Sequence, residues 1–101
     1  MIDKLEALLA QGQDSAMLRF TLAGHYFRDG LIDQALTHAK VAVELDADYS
    51  AAWRLLGQIQ VAAGQQAEAA GTFERGIAIA ESRGDMQAAR EMRVFRKRLT
   101  A

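Results

Sequence analysis

The sequence contains no cysteine and no proline. Without cysteine the chain has no disulfide, no thiolate metal site and no cysteine nucleophile. Without proline, and with alanine, leucine, glutamine and arginine abundant, little interrupts helices and little favours strands. The composition therefore predicts an all-α protein. The lack of cysteine fits a reducing compartment, and we expect a cytoplasmic location.

Several functional motifs are also missing. No apolar run approaches the roughly 20 residues that span a bilayer, and the segment 1–6 is acidic where a signal peptide would be apolar. Neither a phosphate-binding loop nor a Gly-x-Ser-x-Gly nucleophile motif is present. The two histidines, His25 and His38, lie on different predicted helices without a second ligand nearby. We therefore expect no membrane span, no cofactor, no metal site and no enzymatic activity.

The net charge of -1 hides an asymmetry between the two halves of the chain. Residues 1–50 contain four Lys/Arg and eight Asp/Glu, whereas residues 51–101 contain eight and five. Arg90, Arg93 and Lys97 form a basic stripe near the C-terminus, with Arg96 and Arg98 beside it. Nucleic-acid-binding domains are usually basic overall and interleave aromatic residues for stacking. We expect a solvated face or a docking surface here, with a nucleic-acid or anionic-surface partner as the alternative.

Apolar residues at helical spacing predict six helices separated by glycines and small polar residues. The predicted ranges are about 2–10, 15–29, 32–45, 50–62, 66–80 and 84–99. Asp14 or Ser15 is expected to cap the second helix. The short connections between these helices are typical of antiparallel hairpins.

The sequence repeats with a period of 34 residues, which lays segment 16–49 over segment 50–83. Leu22, Gly30 and Ala35 of the first segment fall on identical residues of the second, and other pairs agree in size. The second segment carries Trp53, Leu56, Gly57, Ala69, Phe73 and Gly76, and the first carries Leu22, Ala23, Tyr26, Ala35 and Ala42. This spacing resembles the signature of the tetratricopeptide repeat (TPR) family over about two thirds of the chain. The departures from the signature are Arg19, Ala39, Ala47, Gln60 and Glu81.

The resemblance implies a short right-handed helical-hairpin solenoid, of the small, free-standing bacterial type. We expect a single domain over 1–101, with a cap helix at 2–10, repeats at 16–49 and 50–83, and a closing helix at 84–100. About three repeats are usually needed for a solenoid core, so the end helices are expected to cap it. The closing helix has its own apolar stripe, which is Ala88, Met92, Phe95 and Leu99. Met1 and these end helices favour a complete chain.

The resemblance also implies that a protein or peptide partner binds in the concave groove lined by the first helix of each repeat. The expected groove residues are Phe20, Gly24, Phe27, Arg54, Gln58 and Val61. Gly24 would leave a notch between the two phenylalanines, and Arg54 would pair with an acidic group of the partner. Relatives that bind the C-terminal carboxylate of chaperones need lysine and asparagine where this chain has Phe20 and Gly24. We therefore predict an adaptor or assembly factor for an apolar or amphipathic segment.

Two alternatives for the same surface stay open at this point. A terminal helix could pack over Phe20 and Phe27 and close the groove. The two phenylalanines could instead form the contact of a homodimer, which would make the chain a self-associating structural module.

Overall fold

The computed structural model describes residues 2–100, which contain helices and turns but no strand. The helices are α1 (Ile2–Ala10), α2 (Ala16–Arg28), α3 (Ile32–Leu45), α4 (Ser50–Ala62), α5 (Gln66–Arg83) and α6 (Met86–Leu99). The predicted all-α fold class is confirmed. Met1, on which the expectation of a complete chain rests, and Ala101 lie outside this range. Within residues 2–100 no helix is both long and apolar enough to cross a membrane.

Side chains next to the helices set several of their ends. Ser15 caps α2, since its Oγ accepts the Leu18 N–H at 3.0 Å. Asp85 caps α6 in the same way, through the Ala88 N–H at 3.2 Å. Helix α5 continues to Arg83, three residues beyond the predicted end near Ala80. Between Ala80 and Gly84 there is no glycine or proline, so the helix continues until Gly84, which adopts a left-handed conformation.

The two hairpins α2–α3 and α4–α5 have the same turn. In the first, the N–H of Gly30 donates to the carbonyl of Phe27 at 3.1 Å; in the second, Gly64 donates to Val61 at 3.0 Å. Both glycines have φ near +80°, at +78° and +79°, a conformation that other residues adopt only at a cost. The turn geometry therefore repeats with the same 34-residue period as the sequence.

Small residues lie where the paired helices approach each other most closely. Ala35 and Ala69 are fully buried, as the resemblance implies. Trp53 is buried too, and its indole N–H donates to the Ala47 carbonyl at 2.8 Å. The Arg75 guanidinium lies 5.0 Å from the Trp53 ring centroid and covers its outer side. A buried aromatic ring of this size is a large contribution to a small core.

The two end helices are attached differently. None of the α1 residues is fully buried, whereas α6 buries Ala88, Ala89 and Met92 and packs Phe95 and Leu99 against the core. The α6 residues that pack inward include the apolar stripe predicted from its spacing. Helix α6 contacts both α4 and α5, so it lies beside α4 in the way that α4 lies beside α2.

Candidate functional site

Helices α2, α4 and α6 form one face of the molecule, on which an apolar hollow of about 280 Å³ is open. Phe27, Val61 and Phe95 contribute to it from α2, α4 and α6, and they are spaced 34 residues apart. The other lining residues are Gln58, Phe73, Arg98 and Leu99. Because each of the three helices presents a side chain at the same register, the hollow is a product of the repeat.

The floor of the hollow is the fully buried ring of Phe73. The ring of Phe95 packs against it with the centroids 5.6 Å apart and the planes tilted by 41°. Phe73 reaches this position because it faces Gly57, where a Cβ would come within 2.7 Å of three atoms of the ring. The signature glycine of the second repeat therefore makes room for the residue beneath the hollow.

Two of the lining side chains, Gln58 and Arg98, carry polar groups. Gln58 presents an amide, which both donates and accepts hydrogen bonds. The Arg98 guanidinium lies 5.9 Å from the Phe95 ring centroid, within the range of a cation–π contact. The hollow thus combines apolar walls with one neutral and one positively charged polar group.

The structure brings three of the six predicted groove residues together. Phe27, Gln58 and Val61 all line the hollow, and Val61 is 36% exposed. A Cβ at Gly24 would meet no atom within 4 Å apart from its own chain neighbours and helix backbone. Within residues 2–100 there is thus open space at Gly24, and its use as a notch for a partner side chain stays a prediction.

Phe20 and Arg54 both contact other side chains of the protein. The Phe20 ring is half-buried and packs against Tyr49, with 5.0 Å between the centroids. Arg54 forms an ion pair with Glu91 of α6 at 2.5 Å. Arg54 was expected to pair with an acidic group of the ligand. Glu91 was not predicted as its partner, because only the packing of α6 brings the two side chains together.

Phe95, Arg98 and Leu99 were not among the predicted groove residues, because α6 was expected to be a cap. In α6, Arg90 and Glu91 stand where the repeat signature has leucine and glycine. A signal was nevertheless present: Phe95 lies 34 residues after Val61, which lies 34 after Phe27. Comparing the groove positions separately from the core signature would have identified Phe95.

A separate polar cluster attaches α1 to the first repeat. The Tyr26 hydroxyl donates to Glu6 Oε1 at 2.7 Å, and His38 Nε2 lies 3.4 Å from the same oxygen. On the other side of the imidazole, Arg19 Nη1 is 3.0 Å from His38 Nδ1, and Arg19 also pairs with Asp14. Burial lowers the pKa of His38, with the Arg19 charge acting in the same direction and Glu6 opposing it.

The basic stripe of α6 is partly compensated. Arg93 pairs with Glu81 of α5, while Arg90 is exposed. Arg93, Arg96 and Lys97 also border a second hollow between α5 and α6, together with Glu74. Across residues 2–100, no cluster of three His, Asp or Glu side chains has the arrangement of a metal site.

Comparison with known proteins identifies relatives over nearly the whole chain. A TPR repeat-containing protein of Pseudomonas aeruginosa is 46% identical over 99 residues, which cover 98% of this chain and 94% of the relative. A Bordetella parapertussis protein with a determined solution structure is 43% identical, with a TM-score of 0.85, over 99% of this chain and 87% of its own. No model of a known protein family matches.

The fold is also shared with a more distant structure. The crystal structure of a tetratricopeptide repeat domain protein from Salinibacter ruber has a TM-score of 0.80 at 22% identity, over 86% of this chain and 97% of its own. That similarity concerns the fold, whereas the Pseudomonas relative is close enough in sequence to show the family. The predicted resemblance is confirmed, and the chain belongs to the tetratricopeptide repeat family.

Proposed function

We propose that this protein is an adaptor or assembly factor that binds an apolar or amphipathic segment of another protein on the face formed by α2, α4 and α6. One observation carries the proposal: three helices present Phe27, Val61 and Phe95 around a single open hollow. Tetratricopeptide repeats are in general protein-interaction modules, which supports a role of this class. A helix or extended segment with apolar anchors suits such a groove.

The chemistry of the face favours an internal segment of the partner over a free C-terminus. A carboxylate clamp needs cationic and amide side chains at the positions that hold Phe20 and Gly24. Arg54, a further cation on this face, is compensated by Glu91. We propose a non-catalytic role in the cytoplasm, with which the cysteine-free composition is compatible.

The test is a pair of identical substitutions. Val61→Glu places a carboxylate at the rim of the hollow, whereas Val94→Glu makes the same change at a residue of α6 that is 48% exposed and does not line it. Each purified variant is first compared with the wild type for helical content and thermal unfolding. Proteins are then captured from an extract of cells that naturally contain the protein, and the captured partner is produced pure for a direct titration.

The proposal predicts that the wild type and Val94→Glu bind the purified partner with similar affinity and that Val61→Glu does not. Equal binding by all three would place the interaction on another surface. Sedimentation of the pure protein tests the homodimer alternative, which requires a dimer that Val61→Glu dissociates. Salt-sensitive binding of nucleic acid or anionic vesicles, lost in the triple variant Arg90/Arg93/Lys97→Glu, would support the anionic-surface alternative instead.

A further inference from the structure

The size of the hollow restricts what enters it. Sites for whole small molecules usually measure about 300–1,000 Å³, and this one, at about 280 Å³, falls just below that range. Apart from Gln58 and Arg98, its lining side chains are apolar: Phe27, Val61, Phe73, Phe95 and Leu99. A space of this size and polarity suits one large apolar side chain projecting from a partner.

The residues that line the hollow carry positive charge and no negative charge. Arg98 is the one ionisable residue among those that line the hollow, and no acidic side chain is among them. Arg54, the one arginine predicted for the groove, is paired with Glu91. An approaching segment therefore meets a positive charge beside an apolar opening.

Arg98 is suited to recognise a carboxylate. Its guanidinium lies over the Phe95 ring, and the side chain is exposed, so its N–H groups can be reached by a bound segment. A guanidinium edge binds a carboxylate through two parallel hydrogen bonds. Charges at the rim of an interface contribute mainly to the choice of partner and to the association rate.

We propose that the segment bound on this face carries a large apolar residue that fills the hollow and, next to it, an aspartate or glutamate that pairs with Arg98. This inference rests on the proposed function, because it specifies the chemistry of the partner at the same site. The acidic group of the partner was expected to pair with Arg54. The role now falls to Arg98, which was not among the predicted groove residues.

The experiment is a selection of random dodecapeptides displayed on phage, carried out in parallel on four proteins. The wild type and Arg98→Glu are the test pair. Arg90→Glu is the matched control, since it makes the same charge change at an exposed position of α6 outside the hollow. Val61→Glu, with the hollow itself disrupted, measures background. Circular dichroism and thermal unfolding confirm that all four are folded before selection.

The expected result is that the wild type and Arg90→Glu enrich peptides with a large apolar residue adjacent to Asp or Glu. Arg98→Glu should keep the apolar preference, lose the acidic one and favour Lys or Arg in its place. For a synthetic wild-type peptide, Arg98→Glu should weaken binding about tenfold, as expected for loss of a charge-assisted pair. Replacing the acidic residue of that peptide by lysine should restore binding to Arg98→Glu alone.

The outcomes separate the two proposals. If the selected peptides share an apolar anchor without an acidic neighbour, or if Arg98→Glu selects the same peptides as the wild type, the role of Arg98 is wrong while the proposed function stands. If the wild type enriches nothing beyond Val61→Glu, the hollow binds no such segment and both proposals are wrong.

Discussion

The ring of Phe73 occupies the space that a side chain on Gly57 would need. A Cβ on Gly57 would lie within 2.7 Å of three atoms of that ring, and both residues are buried. Gly57 of α4 and Phe73 of α5 therefore depend on each other, because the glycine leaves the space that the ring fills. Because Phe73 also forms the floor of the hollow, this packing connects the stability of the second repeat to the shape of the candidate site.

Gly57→Ala is expected to destabilise the protein. The added methyl group must displace a ring that is fully buried, and overpacking of this kind costs about 1–3 kcal/mol. Urea unfolding followed by circular dichroism measures the change. Gly71→Ala is the control, since Gly71 is exposed within α5 and its Cβ would meet nothing within 4 Å. A variant Gly57→Ala as stable as Gly71→Ala would contradict the packing described.

Gly24→Ala is expected to have opposite effects on stability and on binding. Nothing obstructs a Cβ there, so the variant should gain about 0.5–1 kcal/mol of helix stability. If the partner uses the notch beside Phe27, the same methyl group should weaken binding. Titration of the purified partner against Gly24→Ala and Gly71→Ala checks this. Both variants should gain helix stability, but only Gly24→Ala changes the face formed by α2, α4 and α6. Equal affinities would show that the notch is unused.

Glu91→Gln is expected to change the affinity for acidic peptides more than it changes the stability of the fold. The Arg54–Glu91 pair is about one-third exposed on both sides, and pairs in such positions contribute at most about 1 kcal/mol. Removing the Glu91 charge takes away the ion-pair partner of Arg54, so acidic peptides selected on the wild type should bind a few-fold more tightly, as measured by isothermal titration. Glu81→Gln removes the same charge from the pair with Arg93, and an equal gain there would indicate a general effect of net charge.

Stability should decrease in mildly acidic solution because of His38. The pKa of His38 in the folded chain lies below its ordinary value of 6.5, mainly through burial. Between these two pKa values the unfolded chain binds more protons than the folded chain, so the free energy of unfolding is highest above pH 6.5 and falls as the pH falls through it. The geometry agrees, since Arg19 donates to His38 Nδ1 and leaves no room for a proton on that nitrogen.

The measurement for this prediction is urea unfolding of the wild type and His38→Gln at several values from about pH 7.5 to about pH 5.5, the range in which histidine titrates. His38→Gln should show a smaller decrease over the range, whatever its stability at the upper end. Asp14 and Asp85, whose pKa values are lowered by hydrogen bonds from Arg19 and Ser50 respectively, act at lower pH, below their ordinary value of 3.8. An unchanged decrease in His38→Gln would show that other groups cause it.

One departure from the family signature has a structural explanation. Gln60 stands where tyrosine is usual, and it is buried with Thr72 of α5, whose hydroxyl lies 2.5 Å from its Oε1. Because the buried amide oxygen accepts a hydrogen bond from the Thr72 hydroxyl, this polar residue is tolerated in the core. The sequence shows the departure at Gln60, but the partner residue comes from the way α4 packs on α5.

Features that depend on local spacing could be predicted from the amino-acid sequence alone. Helical periodicity and caps such as Ser15 predicted the six helices, because 3.6 residues per turn can be read along one helix at a time. The 34-residue repeat carried the resemblance to the family, and that resemblance implied the shared face of Phe27, Gln58 and Val61.

Contacts between residues of different helices depend on how the helices pack and could not be read from the sequence. The pairing of Arg54 with Glu91, the packing of Phe20 on Tyr49 and the closure of the hollow by Phe95 and Arg98 each join residues from different elements. The pairing of Arg54 depends on how α6 is placed beside α4, whereas the packing of Phe20 depends on the α3–α4 connection that carries Tyr49. Side-chain spacing within α6 specifies its apolar stripe, but its position follows from packing against Phe73 and the rest of the core.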